Sequence, residues 1–424
     1  MTEAPEAEPL AGAAYLRLVL LAALVGVPAA VLAAGFLALV HELEHVLWHD
    51  LPDLLGYSTA PWFLVIGLPV VGAGLVALAR LLLPGDGGHE PLDGISTAPT
   101  ALAAGPGVAL AALGTLSFGA VLGPEAPLIA LGSVVGVAGA RLVRLGPRET
   151  AVLATAGSFS AISALFGGPL PAGMLLVESG LGLGASLLPL LVPGLVAAAF
   201  GYLIFVGVGD WGGVEAAALS VPGLPRYEAT SLEDMLLGAV VGVTTAVLVI
   251  GSRRLALAVA GLRERRIGMP ALLLGGGLAV GCLAQLADVL GADSQDVLFS
   301  GQAALPNLLV EGSAGIVIVL VLAKGLAYGI CLGCGFRGGP VFPAIFLGIG
   351  VGTLAAVSFD VSPTLAVAVG TAAGVAAVTR LLISALLIAA LLVGTAGLDA
   401  IPAAVLAAAA AWLTVTAVDP RPAE

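Results

Sequence analysis

The residue best placed to do chemistry is Glu125, which lies in an apolar stretch as part of Gly123-Pro-Glu-Ala-Pro127. A carboxylate in such a stretch is costly and points to function by default. The stretch has a second copy. Gly123-Pro-Glu-Ala-Pro-Leu-Ile-Ala-Leu-Gly-Ser-Val-Val-Gly136 and Gly339-Pro-Val-Phe-Pro-Ala-Ile-Phe-Leu-Gly-Ile-Gly-Val-Gly352 are identical at 8 of 14 positions, 216 residues apart, about half the chain. Two prolines and three glycines in register make a chance match improbable. Each copy reads as a tight Gly-Pro turn leading into a helix that starts inside the membrane. Such an N-terminus carries unpaired N–H groups and the positive end of the helix dipole, a ready anion site. Two such ends converging from two halves would hold a small anion without a full cationic charge, which suits a path that must bind weakly enough to release. Glu125 itself could sit there as a tethered anion, and protonation would release it. The second copy has Val341 at the matching place, so only one half carries the acid.

A competing constellation is His41-Glu-Leu-Glu-His45, which matches the helical zinc pair H-E-x-x-H. With Asp93 of Leu92-Asp-Gly94 as third ligand and Glu42 as base, it would make an intramembrane metalloprotease. Protease-type spacing places the third ligand much further on. His41, His45 and His49 also fall at the end of an apolar helix beside Trp48 and Asp50, which suits an interfacial helix end. Cys331 and Cys334 have CxxC spacing but no second pair, and with Cys282 they give an odd count and no disulfide framework. The expectation is no enzyme, no metal and no cofactor.

The elements that position these groups follow from composition. Of 424 residues 59% are apolar and only 10% charged, with a net charge of −12. That excludes a soluble enzyme and a disordered chain, and 15 Lys and Arg exclude nucleic acid as a partner. The chain reads as an all-α polytopic membrane protein. Apolar runs fall near 12–40, 61–83, 99–120, 127–143, 150–165, 169–179, 184–208, 235–251, 255–262, 270–290, 313–330, 341–358, 363–379, 381–395 and 400–417. Several are too short for a full span, and 60 Gly and 27 Pro interrupt many of them. Broken helices of this kind line polar cavities. Arg141, Arg144 and Arg148 form one basic cluster and Arg253, Arg254, Arg263, Arg265 and Arg266 another, and the positive-inside rule assigns both to the cytoplasm. The expected organisation is a cytoplasmic tail at 1–11, a first transmembrane repeat at 12–208, a connection at 209–234 and a second repeat at 235–417, with no C-terminal regulatory domain. Among charges at membrane depth, Lys324 suggests a structural ion pair, Arg380 a helix-end residue, and Arg337, next to the second motif copy, a means of raising local anion concentration.

The motifs resemble those of the CLC chloride channel and proton/chloride antiporter family. Leu122-Gly-Pro-Glu-Ala-Pro127 resembles that family's GREGP motif, Gly335-Phe-Arg-Gly-Gly-Pro-Val-Phe-Pro343 its GxxGGxFxP motif, and Phe166-Gly-Gly-Pro-Leu-Pro-Ala-Gly-Met-Leu-Leu-Val-Glu178 its NAPLAGxLFxxE segment. The likeness implies a CLC-type fold of two inverted-topology repeats with many short, broken and tilted helices, a homodimer with one path per subunit in the plasma (inner) membrane, and movement of chloride, with protons as a possible second partner. Glu125 becomes the gate. Gly87, Gly88, Gly123, Pro124, Ala126, Pro127, Gly338, Gly339, Pro340, Val341 and Phe342 become the anion path, and Glu178 and Ser179 mark the inner relay position. This sequence departs from the pattern in four places. Gly88 stands where the family has an anion-coordinating serine, Pro340 removes one backbone N–H, the last tyrosine is Tyr328 so no C-terminal gate tyrosine is present, and Ser179 replaces the second glutamate of proton-coupled members. The anion therefore stays open between chloride and fluoride, and the mechanism between channel and antiporter.

Overall fold

A computed structural model describes residues 12–94, 98–180, 187–207, 220–264 and 267–419. The expected tail at 1–11, residues 209–219 of the expected connection, and Arg265 and Arg266 lie outside the described residues. Helix α1 (Gly12–His45) runs through a π-helical turn at Val46–Asp50 into α2 (Leu51–Leu54). There follow α3 (Trp62–Leu82), α4 (Gly105–Leu116), α5 (Glu125–Leu142), α6 (Pro147–Phe166), α7 (Pro169–Ser179) and α8 (Leu187–Val206). The second half holds α9 (Leu232–Glu264), α10 (Met269–Val289), α11 (Ser294–Val297), α12 (Leu305–Val310), α13 (Ala314–Cys334), α14 (Val341–Phe359), α15 (Pro363–Thr379), α16 (Leu382–Val393) and α17 (Ile401–Val418). Among the described residues ten helical stretches are long and apolar enough to cross a membrane, whereas α4, α7, α15 and α16 are too short for a full crossing.

Without water to drive them together, membrane helices associate through close packing of small residues. Here that packing repeats between the halves. A Cβ added to Gly26 of α1 would lie 2.1 Å from the carbonyl oxygen of Ala197 in α8; Gly242 of α9, 216 residues on, meets the carbonyl oxygen of Ala407 in α17 at 2.3 Å. Gly132 of α5 is pressed on the Gly157 carbonyl of α6, and Gly348 of α14, again 216 residues on, on the Gly370 carbonyl of α15. The pairs α1–α8 and α5–α6 thus recur as α9–α17 and α14–α15. The same offset pairs loops of opposite charge. The end of α5, with Arg141 and Arg144, matches the end of α14, which carries Asp360; the end of α1, near Asp50 and Asp53, matches the end of α9, which carries Arg263. By the positive-inside rule, equivalent loops then face opposite sides, as inverted halves require.

Three expectations need correction. The runs at 235–251 and 255–262 are one helix, α9. Arg253 and Arg254 do not interrupt it, because arginine is a good helix former and Arg253 reaches Asp419 in an ion pair. The run at 99–120 is helical in α4 only over Gly105–Leu116, after a 3₁₀ turn at Leu102–Ala104. Among the described residues Lys324 has no carboxylate within salt-bridge distance; its Nζ donates to the carbonyls of Asp296, Val297 and Leu298 at 2.9, 3.1 and 2.7 Å, capping the negative end of α11. Cys331 and Cys334 are buried free thiols, and Cys331 Sγ accepts the Val121 amide. Residues 220–231 run across the second half: the Val221 amide donates to the Leu392 carbonyl and the Tyr227 amide to the Ala396 carbonyl.

Candidate functional site

The two motif copies meet. The Gly123 amide donates to the Gly339 carbonyl at 2.7 Å and the Gly339 amide to the Gly123 carbonyl at 2.6 Å, an isolated antiparallel pairing of equivalent residues. Such a reciprocal pair has a local two-fold axis at its centre. Pro124 and Pro340 are the N-caps of α5 and α14, so neither helix entrance spends an N–H on its cap residue. Pro127 and Pro343 lie in the first turns. Few free amides remain at each end, and those of α14 belong to Val341 and Phe342.

Glu125 occupies that end. Its side chain leaves the first residue of α5 and crosses to the other half, where Oε1 accepts the Val341 amide of α14 at 2.5 Å. The residue is 2% exposed and its Oε2 is buried without a hydrogen-bond partner among the described residues. The carboxyl lies against the glycine pair: a Cβ on Gly339 would fall 2.0 Å from Glu125 Cδ, and one on Gly123 would fall 2.1 Å from Oε2. A side chain at either position would therefore displace the Glu125 carboxyl from where it lies. Phe342 stacks on Phe166 with ring centroids 5.9 Å apart, and the Tyr328 hydroxyl donates to the Pro340 carbonyl at 2.9 Å. Arrangements of this kind place one carboxylate where a helix N-terminus would otherwise bind an anion.

The expected path residues fall into two groups. Gly123, Gly339 and Val341 meet the Glu125 carboxyl, and Pro124, Pro340 and Phe342 adjoin them in the chain. Gly87, Gly88, Ala126, Pro127 and Gly338 line a separate small cavity together with His89, Val108, Ala130 and Arg337. Gly87 and Gly88 hold φ of +72° and +104°, backbone that other residues rarely adopt, and so fold the turn after α3 against Arg337. Arg337 is itself 2% exposed. It belongs to a charged cluster that also includes Arg80, Asp86, Glu90 and Arg263; of these Arg337 was the one read from the sequence as a means of raising local anion concentration. The signal for Asp86 and Glu90 was the charge-dense segment Asp86-Gly-Gly-His-Glu90 between two apolar runs.

Glu178 and Ser179 lie elsewhere. The Glu178 carboxylate accepts the amides of Leu382, Ile383 and Ser384 at 2.8, 2.8 and 2.7 Å and so caps α16. Ser179 is exposed, and its hydroxyl donates to the Leu176 carbonyl. The alternative zinc site does not assemble. Among the described residues no group of three His, Cys, Asp or Glu side chains could hold a metal ion. His41 is exposed, and His45 faces Asp50 and the ring of His49 at the helix end.

Comparison with known proteins decides the family. The sequence model of the voltage gated chloride channel family matches residues 96–415. The chain belongs to this family. Its CLC membership makes it a membrane anion transporter and not an enzyme, which disposes of the metalloprotease alternative. The protein YfeO of Escherichia coli O7:K1 (strain IAI39 / ExPEC), named for ion transport, is 30% identical over 354 residues, 80% of this chain and 79% of that protein. YfeO of Salmonella newport (strain SL254) is 29% identical over 356 residues, 80% of each. Among solved structures, a slow cyanobacterial Cl−/H+ antiporter superposes with a TM-score of 0.77 at 18% identity, covering 96% of both chains. A CLC-type fluoride/proton antiporter superposes at 0.68 and 19%, again covering 96% of both. The fold of this CLC member is therefore the one the motifs implied.

Proposed function

We propose that this chain moves chloride across the plasma (inner) membrane as a homodimer, with one path per subunit gated by Glu125. The observation that carries the reading is the Glu125 carboxylate of the first half on the Val341 amide at the start of α14. As a carboxylate it fills an anion seat made of backbone amides and a helix dipole. Protonation removes the charge that the seat favours, the side chain leaves, and a small anion takes its place. Flux then rises as pH falls.

The same reading assigns no long proton relay. Glu178 is committed to the α16 amides, and no acid follows it at Ser179. Anion movement is gated by a proton without being tightly coupled to proton transport. Gly88 and Pro340, which take away a hydroxyl and an N–H that the family's motifs supply, favour a second reading in which fluoride is carried in place of chloride.

The test is anion efflux from proteoliposomes loaded with chloride and, in parallel, with fluoride, with external pH recorded in the same trace. The expected result is chloride release that accelerates with acidification and moves few protons. Release with stoichiometric opposed proton movement would contradict the uncoupled mechanism. Release of fluoride and not chloride would select the second reading, and release of neither would overturn both.

A further inference from the structure

We propose that Tyr328 is a positioning residue for the gate, holding the one peptide of the α14 entrance on which Glu125 rests. This deepens the anion-transport reading above and rests on it.

Both edges of that peptide are engaged. Its N–H belongs to Val341 and donates to Glu125 Oε1; its carbonyl belongs to Pro340 and accepts the Tyr328 hydroxyl at 2.9 Å. A trans peptide is planar, with its N–H and C=O pointing opposite ways. Tyr328, the peptide and Glu125 therefore form one hydrogen-bonded chain from α13 through the start of α14 to α5. A donor on the carbonyl polarises the N–H of the same amide and strengthens the bond it gives. Two hydrogen bonds on opposite edges also leave the plane little room to turn. The side chains at both ends are buried, which keeps bulk water from competing.

The internal repeat shows that the fold itself does not need this contact. Helices α4 and α13 are equivalent at the 216-residue offset and make equivalent bonds. Thr115 Oγ1 of α4 accepts the Arg337 amide and Cys331 Sγ of α13 accepts the Val121 amide, both at 3.2 Å. The same offset takes Tyr328 to Ala112, which has nothing to donate. The two helix starts agree closely, with φ and ψ of −82° and −7° at Pro124 and −90° and −8° at Pro340. The Pro124 carbonyl accepts the Leu128 amide of its own helix. The first half thus reaches this backbone without a tyrosine. The hydroxyl stands at the helix start that receives the carboxylate, and not at its equivalent. Two departures from the repeat, Glu125 against Val341 and Tyr328 against Ala112, meet on a single peptide.

Other charges do not take this role. Helices α4 and α14 carry no titratable side chain, and α13 carries Lys324, Cys331 and Cys334 besides Tyr328. Asp296 lies beside α13 on α11, Arg337 lies between α13 and α14, and α9 turns Arg253 to Asp419. Lys324 is spent on the α11 carbonyls and Arg337 on Asp86; among the described residues neither forms an ion pair with Glu125.

Infrared titration of the purified full chain tests this, through the protonated-carboxyl band that Glu125→Gln abolishes. In Tyr328→Phe the carboxylate is held less strongly, so the midpoint of that band should rise by about half a pH unit, about threefold in proton affinity. The pH midpoint of anion flux in proteoliposomes should move by the same amount. An unmoved infrared midpoint would overturn the proposal, because a tyrosine that only packs changes stability without changing the hold on Glu125. 3-Fluorotyrosine in place of Tyr328 keeps the ring and sharpens the donor, so it should lower the midpoint. A midpoint unmoved or raised there would also overturn the proposal, which stays testable if Tyr328→Phe folds poorly. An infrared midpoint that shifts as expected in a protein whose flux ignores pH would leave the role of Tyr328 standing and remove Glu125 as the gate.

Discussion

Gly123 and Gly339 exchange two backbone hydrogen bonds, at 2.7 and 2.6 Å, although 216 residues separate them. They are the same position in the two motif copies, so the pairing joins the halves at their point of two-fold symmetry. The symmetry is broken two residues further on, where Glu125 has only Val341 as its counterpart. A single carboxylate at a symmetric junction can serve only one helix entrance, and it serves α14, in the other half. On the proposed reading, one acid per chain would suffice to close a path built from two halves.

Packing of the repeats makes a first prediction. A Cβ on Gly348 would fall 2.0 Å from the Gly370 carbonyl oxygen, a backbone atom that cannot swing aside. Gly348→Ala should therefore force α14 and α15 apart and cost about 1–3 kcal/mol. The check is thermal unfolding of the purified protein in detergent. Gly35→Ala, at a position with nothing within 4 Å, should leave the midpoint unchanged or slightly raised.

Glu178 gives a second prediction, which separates a cap from a proton relay. Its carboxylate holds three amides at the start of α16, so Glu178→Ala should destabilise the protein by about 0.5–2 kcal/mol, the usual worth of a helix cap. Glu178→Gln keeps an acceptor oxygen and should lose less. In flux assays the ratio of protons to anions should be the same in Glu178→Gln as in the parent protein. A changed ratio would show that the residue carries protons.

Acid sensitivity follows from the charged cluster beside the cavity. Burial pushes the carboxyls of Asp86 and Glu90 up, but their arginine partners outweigh it: Arg80 and Arg337 hold Asp86, and Arg263, Arg337 and Arg80 hold Glu90, below their ordinary values. A depressed carboxyl contributes stability that is complete above its unfolded titration range and is lost as pH falls through the folded value. The thermal midpoint should hold at neutral pH and fall below about pH 4. Glu90→Gln should flatten that acid limb, and an unchanged limb would show that Glu90 does not contribute.

Much of this was legible in the sequence. The apolar runs give most of the helices because the bilayer demands them, and the 216-residue offset gives the repeat because close helix packing tolerates only small residues at Gly132 and Gly348. That Glu125 stands at a helix start was readable from the Gly-Pro turns. Its partner was not, because nothing local says that an acid at the start of α5 will accept an amide from α14. The cluster around Arg337 was hidden for the same reason: Asp86 and Arg337 are far apart in sequence and meet only when α3 and the segment after α13 pack together. Lys324 misled because a buried cation suggests an acid partner, whereas here three carbonyls at the end of a short helix accept its protons.

The central claim is that the proton that opens the path is the one on Glu125. The most direct measurement is the pH dependence of chloride flux through Glu125→Gln in proteoliposomes, beside the parent protein. The amide mimics the protonated gate, so flux in the variant should be high and flat across the pH range over which the parent accelerates on acidification. A variant that keeps the parent's pH dependence would contradict the account and move the gate to another group.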